Sequence, residues 1–378
     1  MKILHTSDWH LGMTDGEKSL YDDQMYFIQD ICRIAEENKV DAVIIAGDIF
    51  DRAIPSADAV KLYDTAMTKL YVEYGKDVIA IAGNHDSADR VESCSKLLEK
   101  AGLHVLGAVS EEPVAVRYED TDIYLLPWVK ENKVKSLFPE EAENIHTLQD
   151  AYQVLCEKMK EQFEPGKKNI LVSHSFMTNA ETSQSDRAAV LGFADQVGVD
   201  VFKEFDYVAL GHIHKPQNIG KNARYSGTPM PYSFGKEEEQ EKSVTVIDTQ
   251  TMERTVIPVH LLHTRKTVSG TLQEILEGEY PQDVLDGYTK IMVTDMYVGL
   301  DALSKIGAKF KNFIEVTGKA FEDAGSTIKL TMDELKKIES DPIEIFKSFY
   351  KDVMTEEPDS RVLAMFEVCM REIEEERE

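Results

Sequence analysis

The chain has 378 residues and a formal net charge of −27, with 42% hydrophobic and 29% charged residues. That length suits two domains with a sizeable core, the acidity argues against a broadly basic nucleic-acid-coating surface, and no apolar run approaches the roughly 18 residues a bilayer crossing needs. Acidic charge is concentrated in the run Glu237-Glu238-Glu239-Gln240-Glu241, read as a solvated loop, and in the segment from Asp341 onward, which holds 12 acids against 5 bases. Cys32, Cys94, Cys156 and Cys369 are widely spaced and form no Cys-x-x-Cys pair. They read as reduced, buried thiols with a structural role, not as metal ligands. The N-terminus enters a strand directly, without the cationic start and longer apolar stretch of a signal peptide, so the expected location is cytoplasmic, with no membrane.

In chain order, residues 2–6 read as a strand running into Asp8-Trp9-His10. Residues 20–38 place Met25, Ile28, Ile31 and Ile34 near helical spacing. The β-branched run 40–46 predicts a strand that ends in Gly47-Asp48, and residues 56–71, following Pro55, predict a helix with Val60, Tyr63, Met67 and Leu70 on one side. Residues 77–82 predict a strand ending in Gly83-Asn84-His85-Asp86. A strand over 123–126, a helix over 147–163 and a strand over 168–173 lead to His174. The strand 207–210 leads to Gly211-His212-Ile213-His214, and strands over 244–248 and 255–259 complete a large sheet or sandwich near residue 265. Continuous apolar runs of this length suit strands covered on both faces. Beyond Arg265, strands over 288–294 and 313–316 flank a helix over 300–310, a small α/β unit. Residues 342–378 read as two helices split by Glu356-Glu357-Pro358-Asp359.

Each polar cluster follows an apolar strand, so all five reach one edge of the sheet, where sites gather in α/β proteins. Singly they are weak signals, since a lone His at a strand end is usually structural. Together they look like a ligand set for two divalent ions, built from carboxylates, an amide oxygen and imidazoles. Asp8 and His10 alternate around Trp9 and so share a face. Asp48 is the candidate bridging ligand, because one anion between two cations lowers their repulsion. Asn84 supplies a neutral oxygen, and His174, His212 and His214 complete the set. Two such ions clamp an attacking oxygen and a phosphoryl group. His85 adjoins a ligand and is the candidate proton donor to the departing oxygen, with Asp86 orienting its imidazole. His5, His104, His146, His260 and His263 have no comparable company and are assigned no chemistry.

The order DxH, GD, GNHD, H, GHxH resembles that of the calcineurin-like metallophosphoesterase superfamily. The strings TSDWHLG (6–12), GDIFDRAIPS (47–56), GNHDS with Arg90, DYVALGHIHKPQ (206–217) and YSGTPMPYSF (225–234) resemble more closely the family of bacterial SbcD nuclease subunits. The likeness is almost continuous over the first 265 residues and looser afterwards, where DPIEIFKSFY (341–350) is similar to that family's terminal segment. It implies an α/β fold: a four-layer metallophosphoesterase β-sandwich flanked by helices over 1–265, a small α/β capping domain over 266–335, and C-terminal helices over 336–378. It also implies a nuclease of DNA break processing, with exonuclease action on duplex ends and endonuclease action on single strands or hairpins, using two divalent metal ions, Mn2+ above all. One ion would be held by Asp8, His10, Asp48 and His214, the other by Asp48, Asn84, His174 and His212. The implied partners are an SbcC-like SMC ATPase docked on the C-terminal helices, DNA, and a second copy of the chain, forming a homodimer within a heterotetramer. Arg52, Arg90, Arg187 and Lys215 are candidate phosphate contacts. Two rival readings are a phosphoesterase for nucleotides or other small esters, and a weakly active scaffold for the ATPase.

Overall fold

A computed structural model of the chain describes residues 1–16, 18–188, 196–295, 300–318, 343, 346, 347, 350 and 357–375. Its contacts divide it into two units, Met1–Arg265 and Lys266–Glu378. The first is built on two six-stranded sheets of matching design. One carries β1 (Lys2–Thr6), β2 (Ala42–Ala46), β3 (Asp77–Ile81) and β4 (Leu103–Leu106) as a parallel run. The other contains β5 (Val114–Arg117), β6 (Thr121–Leu126), β7 (Lys168–His174), β8 (Tyr207–Gly211), β9 (Gln217–Ile219) and β10 (Ala223–Tyr225), with β6, β7, β8 and β10 parallel. Antiparallel β11 (Ser243–Asp248) and β12 (Arg254–Pro258) extend the first sheet beside β1, in the order β12-β11-β1-β2-β3-β4. The second sheet runs β9-β10-β8-β7-β6-β5.

Alternation along the strands shows why two sheets stack. Ile3, Ile44, Ile79 and Ile81 from the first sheet meet Ile123, Ile170, Val172 and Ala209 from the second in one core. The opposite face of the second sheet, with Tyr124, Leu171, Val208 and Leu210, packs with Tyr152 and Leu155 of helix α4 (Leu148–Lys160). Burying each such side chain contributes roughly 1.5–3 kcal/mol. On the first sheet, Leu4, Val43 and Ile45 are buried as well, as are Phe27, Ile28 and Ile31 of α1 (Tyr21–Glu37) and Leu62 of α2 (Ala57–Met67). The result is helix, sheet, sheet, helix. A short helix α3 (Glu131–Leu137) precedes α4, and Thr147 and Asp150 close a capping box at the start of α4.

His5 of β1 crosses between the sheets. Its Nε2 is 3.1 Å from the Leu210 carbonyl and its Nδ1 2.9 Å from the Tyr207 hydroxyl. Burial, reinforced by the charge of Arg224, pushes this imidazole down to about 3, so it stays neutral.

Some local expectations change. Val60 of α2 is 48% exposed, and the buried stripe is Ala59, Leu62, Ala66 and Met67. The helix continues as a π-helical turn over Thr68–Glu73, which shifts the stripe before Leu70 is reached. Cys32 and Cys156 are buried, but Cys94 and Cys369 are exposed free thiols.

In the second unit, β13 (Arg265–Gly270), β14 (Tyr288–Val293) and β15 (Asn312–Gly318) form a sheet in that order. Helices α5 (Leu272–Glu277), α6 (Gln282–Asp286) and α7 (Leu300–Lys309) accompany it. Ile275, Ile291, Leu303, Ile306, Phe310 and Phe313 make its core. Helix α8 (Ser360–Glu375) starts where the Asp359 carboxylate accepts the N–H groups of Arg361 and Val362. The first of the two C-terminal helices expected from the sequence lies mostly outside the described residues. Among the described residues no helix is long and apolar enough to cross a membrane.

Candidate metal centre

The parallel strands β1, β2, β3, β7 and β8 all finish at one edge, and the chain beyond them stays paired. The Asp8 N–H donates to the Gly47 carbonyl at 3.1 Å, His10 N–H to the Asp48 carbonyl at 3.0 Å, and Ser175 N–H to the Gly211 carbonyl at 3.3 Å. These bonds hold the polar turns at fixed separations. Two glycines let them approach. A Cβ on Gly47, whose φ is 88°, would run into the ring of His174, and one on Gly211 would strike the Ala46 carbonyl. Asp8, His10, Asp48 and His212 themselves have positive φ values of 53°, 44°, 46° and 106°. Such backbones cost about 1–3 kcal/mol each and persist where the surroundings over-determine them, commonly at functional sites.

The side chains collect into two adjoining buried groups. Asp8, His10 and His214 form one, and Asp48, His174 and His212 the other, with the candidate ligand atoms of each group within 4.8 Å of one another. Asp48 faces both: its Oδ2 is 3.3 Å from His174 Nε2 and 3.9 Å from His10 Nε2. The Asn84 Oδ1 lies 3.0 Å from His174 Nε2 and 2.9 Å from His212 Nδ1.

The donor set fits divalent cations. His174 Nδ1 is 2.9 Å from the Ala46 carbonyl, an acceptor only, so that nitrogen carries the hydrogen and Nε2 turns its electron pair inward. It meets the oxygen of Asn84 and His212 Nδ1, the latter at 3.3 Å, while His10 Nε2 and His214 Nε2 face each other at 3.1 Å. Electron pairs converging on one another call for positive charge between them, and this mixture of carboxylate, amide and imidazole suits Mn, Fe or Zn. Burial lowers the affinity of His174 for a proton, but the Asp48 carboxylate outweighs it and raises the group to about 9. Burial alone would lift Asp48, yet His174 and its neighbours hold it well below the usual carboxylate range. Positive charge is thus favoured in this pocket, and a metal ion would satisfy more of its donors than a proton.

His85 stands beside this set. Its backbone N–H donates to Asp48 Oδ1 at 2.9 Å, and its ring lies 4.9 Å from that of His10. Its Nδ1 is 2.9 Å from the Asp51 carbonyl, which orients the imidazole. That corrects the role expected of Asp86. The Asp86 carboxylate accepts the N–H groups of Ile49, Phe50 and Gly83 at 2.9–3.0 Å, so it ties the two turns together instead of holding the His85 ring. Burial and the Asp48 charge raise Asp86 to about 6.

One member of the acidic run departs from the solvated loop that the sequence suggested, while Glu239 and Glu241 are exposed. Glu237 lies in the turn Gly235–Glu239 but is only 1% exposed. It accepts the hydrogen bond of Ser185 Oγ, which is 2.6 Å from His214 Nδ1, and its other oxygen takes the Tyr232 N–H at 2.8 Å and lies 3.5 Å from the buried Lys242 ammonium. Asp186 accepts the His214 N–H at 3.1 Å. On the His10 side, Gln24 Nε2 donates to the His10 carbonyl at 2.8 Å, and Tyr232 sets its ring 5.7 Å from His10. Asp51, Ser185, Asp186, Glu237, Lys242, Tyr232 and Gln24 were all missed by sequence reading. Lys242, one lone base closing an acidic run just before a buried strand, was the available signal.

The candidate phosphate contacts are scattered. Arg52 is 78% exposed in its side chain and 3.2 Å from Asp51, and Arg90 is exposed in the short turn Ala88–Val91. Lys215 pairs with Glu181. Arg187 falls in the turn Ser185–Ala188.

The family model described as calcineurin-like phosphoesterase matches residues 1–216. A Staphylococcus epidermidis protein named as a subunit of the nuclease SbcCD is 29% identical over 366 residues, covering 96% of each chain. Its namesake from Staphylococcus saprophyticus is 28% identical over 359 residues, covering 94% of each. Among solved structures, a dimetal phosphatase from Danio rerio covers 69% of this chain and 99% of its own at 14% identity, with a TM-score of 0.40.

Proposed function

The chain belongs to the calcineurin-like phosphoesterase family, and from that premise we propose that it is a metal-dependent DNA nuclease subunit. The observation that carries the reading is the full set of seven donor side chains in one buried pocket, in a chain matched end to end by relatives named as nuclease subunits. The ions proposed are two divalent cations, Mn2+ first. Asp8, His10, Asp48 and His214 would hold one, and Asp48, Asn84, His174 and His212 the other. Once bound, the pair supplies Lewis acidity toward a phosphodiester and a more acidic attacking water.

The chain's own groups do the rest. Asp48 links the two halves and fixes their spacing. His85, its Nδ1 hydrogen committed to the Asp51 carbonyl, presents Nε2 toward the departing oxygen and, when doubly protonated, delivers a proton there. Arg52, Arg90, Arg187 and Lys215 bind flanking phosphates, each a modest contribution on so acidic a protein. By the likeness to those relatives, residues 266–335 are assigned as a capping domain. Helix α8 exposes Met365 and Val368, 70% and 48% accessible, which supports docking of the C-terminal helices on an SMC-type ATPase. The assembly is a dimer of each subunit, acting in DNA break processing in the cytoplasm.

The test is cleavage of end-labelled duplex and hairpin DNA in Mn2+, with and without the ATPase, beside nucleoside monophosphates. Trimming of duplex ends and opening of hairpins is the expected result. Rapid hydrolysis of the monophosphates with intact duplex would move the substrate to small esters. Unchanged cleavage by an assembled complex carrying Asp48→Ala would leave the chain a scaffold.

A further inference from the structure

His214 is held from behind by a buried chain of polar groups that nothing in its motif announces. Its Nδ1 is 2.6 Å from Ser185 Oγ. That hydroxyl donates onward to Glu237 Oε1. Glu237 is itself fixed on its second oxygen by the N–H groups of Tyr232, at 2.8 Å, and Ser233, at 3.4 Å. Lys242 stands 3.5 Å from the same oxygen, and its ammonium also donates to the His214 carbonyl at 3.2 Å and to Thr228 Oγ1 at 3.0 Å. Glu237 and Lys242 are 1% and 2% exposed. A buried carboxylate and ammonium are costly, and removing one partner alone would strand the other. Their retention at this spot needs a reason beyond packing.

The direction of the hydrogen bonds supplies one. An ionised carboxylate accepts only, so Ser185 must donate to Glu237 and its oxygen must accept from His214. The hydrogen of a neutral His214 is therefore pinned on Nδ1, and Nε2 is left with its electron pair toward Asp8 and His10. We propose that Glu237, acting through Ser185, is a positioning residue that sets the tautomer and angle of His214 and thereby the cation affinity of the Asp8–His10–His214 group. Among the described residues the second group takes no hydrogen bond from Ser185, Glu237 or Lys242: His174 is fixed by the Ala46 carbonyl. The effect is thus confined to one of the two sites. The proposal rests on the metal-centre reading but not on DNA as substrate.

The experiment is Mn2+ titration of the metal-free full-length protein, followed by calorimetry and by electron paramagnetic resonance, which distinguishes a coupled ion pair from single ions. Glu237→Gln and Ser185→Ala are compared with the parent, and thermal melts in chelator monitor folding. Ser185→Ala leaves the Glu237–Lys242 pair intact and covers the case in which Glu237→Gln fails to fold. The expected result is a fall of about 10- to 100-fold in affinity at one site only, loss of the coupled-pair signal at limiting Mn2+, and no further loss in the double variant. Two undiminished sites in Ser185→Ala, or equal weakening of both sites, would overturn the proposal. A protein that binds two ions and behaves this way but leaves DNA uncut would sink the nuclease reading and keep this one.

Discussion

The two halves of the metal centre are anchored by different means. In the half formed by Asp48, His174 and His212, the supporting atoms belong mainly to the backbone. The Ala46 carbonyl holds His174 at 2.9 Å, and the His85 N–H holds Asp48 at 2.9 Å. In the half formed by Asp8, His10 and His214, one backbone group takes part, the His212 N–H that donates to Asp8 at 2.9 Å, but most of the support comes from side chains, with Gln24 on the His10 carbonyl and Ser185, Asp186 and Glu237 behind His214. A backbone-anchored site is fixed by the fold and changes only if the strands move. A side-chain-anchored site can be retuned by single substitutions without disturbing the sheets.

The largest test of this contrast is the residue that both halves share. Asp48→Ala should abolish pairing of the ions and reduce phosphodiester cleavage by about 10³-fold or more, the loss of several kcal/mol of electrostatic stabilisation. Metal content and initial rates, measured together, check it, and two tightly bound ions in the variant would remove Asp48 from the bridge. Next in size, His85→Gln should keep both ions while slowing cleavage about 10²- to 10³-fold. Metal lost in step with activity would make His85 a support of the centre, not its proton donor.

Gly47→Ala probes the backbone-anchored half. The added methyl meets the His174 ring at a residue whose φ is 88°, so affinity should drop at the His174 site by about 10- to 100-fold, the opposite site from that weakened through Ser185. Site-resolved Mn2+ titration reads this, and selective weakening of the His214 site would reverse the assignment.

The last test leaves metal binding and cleavage untouched and concerns β1, the strand that leads into the side-chain-anchored half. Burial pushes His5 down to about 3. The unfolded chain then takes up this proton near pH 6.5, whereas the folded chain does not until about pH 3. Stability from this group is complete above pH 6.5 and declines as pH falls toward 3, by up to about 1.4 kcal/mol per unit. His5→Gln should therefore flatten the acid limb of the stability profile in chelator, read by urea denaturation. An unchanged slope would show that His5 titrates normally.

The same contrast explains what could be read in the sequence. Strands β2, β3, β7 and β8 are continuous apolar runs closed by glycine, asparagine or histidine, so both the α/β class and the location of the turns were visible as periodicity and punctuation. The donors Asp8, His10, Asp48, Asn84, His174, His212 and His214 follow those runs directly. The supports could not be read this way. Glu237 looks like one of several solvated acids, and only folding puts it beside Ser185, 52 residues away in sequence. Asp86 looked like an orienting carboxylate because it adjoins His85, but its oxygens are occupied by three backbone N–H groups, and a main-chain carbonyl, which has no sequence signature, holds the imidazole.

The central claim, two cations sharing the Asp48 carboxylate, is tested most directly by crystals grown in Mn2+ and measured at the manganese absorption edge. The account predicts two anomalous peaks per chain, one against Asp8, His10 and His214, the other against Asn84, His174 and His212, with an oxygen of Asp48 in contact with each. A single peak, or two peaks with Asp48 touching neither or only one, would contradict it.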